Sequence, residues 1–232
     1  MLLQTLASFT PSRVVLLDDP YNDPDEGALL EFRLTYEGVL LGASRTDTRA
    51  HHKHEIRKSF HPQLRRLWEI VTYLNYPRKA IAPSQIFVNE VPPPPPPRSE
   101  QLAEAFSFKG FRFVPLVTQE LSLICGIEIL FLRPDHPGGV LQSGDIDNRL
   151  KTLFDSLRMP SPGEVTDKMT PAEDENPFYC LLEDDRLVTK VSIETDTLLQ
   201  PTGDIANPND TRLVLTIKLR PAQMSWDNVA FG

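Results

Sequence analysis

An α/β fold is the class this sequence predicts, and three patterns predict it. Residues 30–36 alternate, with Phe32, Leu34 and Tyr36 set against Glu31, Arg33 and Thr35, the period of a half-buried strand. Residues 121–132 (LSLICGIEILFL) form an apolar run suited to a central strand, with Ile127, Ile129 and Phe131 toward one side and Ile124, Leu130 and Leu132 toward the other. Leu150, Leu153, Phe154 and Leu157 recur at i, i+3, i+4 and i+7, which places a helix over about residues 148–158 with its apolar stripe toward the sheet.

The remaining elements follow in order. Residues 1–28 hold Asp18, Asp19, Asp23, Asp25 and Glu26 against Arg13 alone, and read as an acidic N-terminal arm or cap ahead of a domain spanning 29–232. Between residues 45 and 66 the balance reverses: seven basic residues against Asp47 and Glu55 give a basic loop of charge +5. Leu64, Leu67, Trp68, Val71 and Leu74 then predict an amphipathic helix over residues 62–75, with Pro62 at its first turn. The six prolines of 92–97 exclude a helix or central strand and make a polyproline spacer. A short helix is expected near residues 100–106, and strands at 187–195 and 211–220, the latter with Leu213, Leu215, Ile217 and Leu219 on one face. Residues 160–177 keep neither hydrophobic period and read as an irregular acidic insertion.

Composition bounds what the chain can do. With 232 residues and 40% hydrophobic content it can bury a core, while 22 prolines demand much loop or extended chain. Two cysteines, Cys125 and Cys180, supply neither a disulfide framework nor a four-thiolate metal site and are expected to be buried and reduced. The first residues lack a basic segment and a cleavage site, and the apolar run is too short to cross a bilayer, so a soluble, cytoplasmic protein without membrane contact is expected. A net charge of -8 disfavours broad electrostatic capture of nucleic acid, but the +5 stretch allows a local surface.

The densest chemistry lies in Gly144-Asp145-Ile146-Asp147-Asn148-Arg149-Leu150-Lys151, with Asp155 one turn beyond Lys151. If the chain ahead of the helix is extended, Asp145 and Asp147 project to one side and their oxygens meet on one cation. Lys151 stands four residues from both Asp147 and Asp155, near two carboxylates and within reach of a phosphate. Glu183-Asp184-Asp185 forms a second acidic cluster directly before a strand. Hard oxygen ligands of this kind suit magnesium or manganese. Simpler readings compete: a helix cap for Asp145 and Asp147, an intrahelical ion pair for Lys151, a turn for Asp184 and Asp185. His51, His52 and His54 lack cysteine neighbours and do not make a structural zinc site.

The string Asp145-Ile146-Asp147-Asn148, followed by Lys151 and Asp155 and then by Asp184-Asp185 leading into a strand, resembles the RusA family of Holliday junction resolvases. The resemblance is strongest over residues 144–151 and 184–193. It implies a single mixed-sheet domain, here with an N-terminal extension and long insertions, acting as a homodimer with magnesium or manganese on branched DNA in recombination and repair. It implies catalytic roles for Asp145, Asp147, Lys151 and Asp185, with Asp145, Asp147 and Asp185 as metal ligands. Three departures stand out: the 160–177 insertion separates the two acidic clusters widely in a chain about twice the length of such an enzyme, Pro137 to Gly144 carries no arginine, and the net charge is negative, which makes metal-assisted phosphodiester cleavage the firmer expectation and four-way junction DNA the looser one. Arg45, Arg49, Lys53, Arg57 and Lys58 are the expected phosphate contacts, against a plain solvated loop.

The leading expectation is therefore a divalent-metal-dependent endodeoxyribonuclease for structured or branched DNA, Holliday junctions included. The alternatives are a noncatalytic nucleic-acid-binding relative, and a protein-interaction module that engages a partner through the proline-rich and acidic segments.

Overall fold

A computed structural model describes residues 30–43, 49–77, 93–134, 145–166, 169–200, 207–225 and 228. The period-two segments become the strands of a four-stranded sheet: β1 (Leu30–Val39), β4 (Leu123–Arg133), β6 (Val188–Thr197) and β7 (Asp210–Pro221), in the order β1-β7-β4-β6. β7 pairs antiparallel with both β1 and β4, with Leu34 opposite Leu215 and Ile127 opposite Ile217. β6 runs parallel to β4, with Val191 opposite Ile127. The apolar run is thus an interior strand, as its composition predicts.

Alternation decides which face is covered. Leu30, Phe32, Leu34 and Tyr36, together with Cys125, Ile127, Ile129 and Phe131 and with Leu213, Leu215, Ile217 and Leu219, are buried in one continuous core. Glu31, Arg33 and Thr35 point to the open face. Two helices belong to the same core: α1 (Ala50–Ile70) contributes Ile56, Phe60, Leu64 and Trp68, and α3 (Asp145–Leu157) contributes Ile146, Leu150, Leu153 and Leu157.

Three expectations need correction. The domain has two sheets rather than one: β2 (Ser107–Phe108), β3 (Phe111–Val117) and β5 (Phe178–Leu182) form a second, three-stranded sheet in the order β2-β3-β5. β5 is a five-residue segment almost wholly buried, so it carries no alternation to read; Phe178 joins Phe111, Phe113, Val165 and Cys180 in a small aromatic core of its own. From residue 50 onward the basic run is also not a loop. α1 begins at Ala50 and continues through Pro62, which loses one intrahelical hydrogen bond but lies beside buried His61 and Leu64. Packing of the apolar stripe outweighs the helix-breaking tendency that proline confers. Finally, α3 starts at Asp145, so Asp145 and Asp147 occupy a first helical turn, about 200° apart around its axis, not an extended segment with both on one side.

The short helix α2 (Arg98–Ala105) follows the exposed prolines of 93–97 and packs on β3, close to the predicted position. The acidic arm, residues 1–28, lies outside the described residues, as does Arg45.

Candidate metal and phosphate groove

α3 is amphipathic, so burying Ile146, Leu150, Leu153 and Leu157 turns Asp147 and Lys151 outward. β5 ends at Leu182, and the chain passes through Glu183 and Asp184 into a short 3-10 turn, Asp185–Leu187, before β6. That turn sits against α3. Asp147, Lys151 and Asp155 from α3 and Asp185 and Arg186 from the turn therefore line one open groove of about 580 Å³. Its apolar walls are Leu150, Phe154, Val188 and Val191. The Asp145 side chain lies outside the described residues.

The three described carboxylates differ in how far they are committed. Asp155 is held by two cations: its Oδ2 lies 2.9 Å from Lys53 Nζ, and its Oδ1 accepts from Arg158 Nη2 at 3.3 Å. The Asp147 side chain makes no hydrogen bond or ion pair among the described residues, and neither does that of Lys151. The intrahelical Lys151–Asp155 pair that spacing allows is not formed; Lys53, which arrives from α1, has displaced it. Asp185 is exposed at the mouth of the groove.

Asp184 has a different task from its neighbour. Its carboxylate takes a bidentate contact from the Arg186 guanidinium, Oδ1 to Nε at 2.9 Å and Oδ2 to Nη2 at 3.0 Å, and also accepts from the Arg186 N–H at 2.9 Å. The Arg186 side chain, followed by its backbone amide, holds this carboxyl far below the usual carboxylate range. Asp184 thus builds the turn and Asp185 is the acid presented by it.

The basic residues separate in the same way. Arg57 is only 2% exposed; its Nε donates to the Arg158 carbonyl at 3.1 Å and its Nη2 to the Asp155 carbonyl. Those carbonyls end α3, so a cation from α1 caps that helix. Lys53 bridges Asp155 and Glu164, and Lys58 lies 3.5 Å from both Glu55 and Glu175. Arg49 immediately precedes α1 and is half-buried. Lys53, Arg57 and Lys58 of the +5 stretch are matched by acids of the 160–177 segment and α3, whereas Arg66 pairs with Glu69 on the exposed surface of α1.

Glu164 is the hub of that network and was not singled out from sequence. Burial raises its pKa, but the Ser161 amide and the charges of Arg57, Arg158 and Lys53 outweigh burial and hold it at about 2. His54 and His61 were also unassigned. His54 stacks on Phe178 at 5.6 Å and meets Phe111 edge-on, and His61 Nδ1 accepts from the Tyr179 N–H at 2.9 Å while Nε2 faces the Asp174 carbonyl. That pattern fixes a neutral ring, and burial lowers the pKa of both. His52 Nε2 accepts from the Leu41 N–H, while His51 is exposed. Histidine packing of this kind leaves no local sequence signal beyond its position in a helix.

The donor set bears on the metal. Among the described residues no three His, Cys, Asp or Glu side chains are grouped to hold an ion. Asp147 and Asp185 instead offer two hard oxygen ligands in one groove, the number that magnesium often takes from protein while filling its other positions with water and substrate phosphate oxygens. A two-carboxylate site fits these residues; a closed cage among the described residues does not. Comparison with protein-family models, with curated proteins and with solved structures finds no match to the chain.

Proposed function

We propose that the chain is a divalent-metal-dependent endonuclease that hydrolyses phosphodiester bonds in structured or branched DNA, acting as a RusA-like homodimer. One observation carries this reading: Asp147 and Lys151 on α3 and Asp185 ahead of β6, residues far apart in sequence, line the same groove. A carboxylate and an ammonium with no described partner, side by side, suit a site whose partners are an ion and a phosphate.

Each residue then has a task. Asp147 and Asp185 would hold magnesium or manganese. The bound ion would supply Lewis-acid polarisation of a phosphate oxygen and favour an attacking water. Lys151 binds a non-bridging phosphate oxygen and opposes the charge that grows there. Leu150, Phe154, Val188 and Val191 limit water around the reacting group and so strengthen those interactions. With Lys53 and Arg57 engaged inside the protein and Lys58 set between Glu55 and Glu175, DNA contact at the groove falls chiefly to Lys151, beside the exposed Arg186 that also holds Asp184.

The test is cleavage of four-way junction, fork, flap, linear and single-stranded DNA with magnesium, manganese or chelator, using the wild type and Asp147→Asn. Metal-dependent cutting of a branched substrate, lost in the variant, is the expected result. Folded protein that cuts none of the panel with either metal overturns the endonuclease; DNA binding without cutting would identify a noncatalytic relative.

A further inference from the structure

The two edges of the four-stranded sheet are finished differently. At β1 the Gln63 side chain of α1 occupies the Thr35 backbone: Oε1 accepts from the Thr35 N–H at 2.9 Å and Nε2 donates to the Thr35 carbonyl at 2.8 Å. At β6, among the described residues, no strand pairs with the outer edge and no side chain bonds to its backbone between Thr189 and Glu194. β6 is ten residues long and exposed over much of its length, with Val191 45% exposed. An edge of this length that the described residues leave unpaired is a template for another strand.

The residues of β6 indicate which strand. In an antiparallel pairing of β6 with a second β6, centred on Ser192, Lys190 stands opposite Glu194 and Glu194 opposite Lys190. Val191 and Ile193 likewise oppose one another twice, and Ser192 faces its own copy on the two-fold axis. The register with β4 puts Lys190, Ser192 and Glu194 on the open face with Gly126, Glu128 and Leu130, and Val191 and Ile193 on the helix-covered face with Ile127 and Ile129. Charge pairs and apolar pairs therefore fall on opposite faces of the seam. Sliding the strands by four residues in either direction would set Lys190 or Glu194 against itself, a like-charge contact that disfavours those registers.

We infer that a second copy of this chain docks along β6, Ser192 on Ser192, to join two four-stranded sheets into one. The axis of an antiparallel pair is perpendicular to the sheet, so both helical layers lie on the same side. The grooves bordered by Val188 and Val191 then flank the seam as a symmetric pair. The inference deepens the homodimer part of the proposed function and rests on that part alone; mass and cross-linking are read without a cleavage assay, so its failure leaves the endonuclease to its own test.

Lys190→Glu in the full chain should dissociate the dimer in sedimentation or light scattering, because Glu then faces Glu twice. The double charge swap, Lys190→Glu with Glu194→Lys, should restore it. Under mild oxidation Ser192→Cys should form an interchain disulfide, since directly opposed residues of an antiparallel pair have Cα atoms about 4.5–5.5 Å apart. Asp196→Cys, far from the axis, should not. A monomeric wild type, a dimer indifferent to Lys190→Glu, no rescue by the swap, or cross-linking no stronger at 192 than at 196 each overturns the inference.

Discussion

Lys53 on α1 lies 2.9 Å from the Asp155 carboxylate on α3, and its other contact, at 3.0 Å, is Glu164 in the segment between α3 and β5. One ammonium thus ties three parts of the chain together beside the groove. Arg57 and Arg158 join the same cluster, at 3.7 and 2.9 Å from Glu164.

Because Glu164 opposes three cations, Glu164→Gln leaves Arg57 buried without its counter-charge. A loss of about 3 kcal/mol is expected from breaking such a pair, measured by urea unfolding at pH 7. The folded-state pKa of Glu164 is depressed to about 2, so its stabilisation is present above the ordinary carboxyl pKa near 4.5 and is lost as pH falls toward 2. The variant should consequently show a shallower decline in stability between pH 5 and pH 2 than the wild type.

His54 and His61 set a second pH dependence, of the opposite chemical kind. Burial lowers both pKa values below 6.5, so the unfolded chain takes up protons first and stability falls as pH drops through 6.5 toward the folded-state values. His54→Phe, in a site already lined by Phe111 and Phe178, should reduce that slope. Thermal unfolding at pH 7.5 and pH 5.5 measures it; an unchanged difference between the two pH values would contradict the account.

Asp184 and Asp185 are adjacent but should respond differently. Asp185→Asn is expected to lower metal-dependent cleavage by about 100- to 1000-fold with the fold intact, the range seen when one preorganised charge contact is lost. Asp184→Asn keeps an oxygen for the Arg186 N–H and should retain most of the activity while weakening the turn. Single-turnover rates of both variants beside their melting curves separate the roles.

Cys125 and Cys180 are buried, and burial pushes both thiols up to about 12. A thiol reagent at pH 8 should label neither in the native protein and both after denaturant is added.

Much of the architecture was legible from periodicity. Four apolar side chains of β7 and the alternation in β1 follow from a period of two that a half-buried strand imposes, and the stripe of α3 from a period of 3.6. Asp147, Lys151 and Asp185 were also legible as candidates, since their residue types and order carry the resemblance. β5 was not, because a short segment buried on both sides has no periodicity to distinguish it from other apolar runs.

The 45–66 run marks the boundary between what sequence and tertiary structure determine. Its charge, +5, is a property of the sequence alone. Whether that charge faces solvent or other residues depends on partners about 100 positions away: Lys53 meets Asp155 and Glu164, Arg57 meets the end of α3, and Lys58 meets Glu175. Local patterns record hydrophobic faces because neighbours in a helix or strand share one environment. An ion pair between distant segments leaves no local period, and neither does a groove assembled from α3 and the turn before β6; both are decided only when the chain folds.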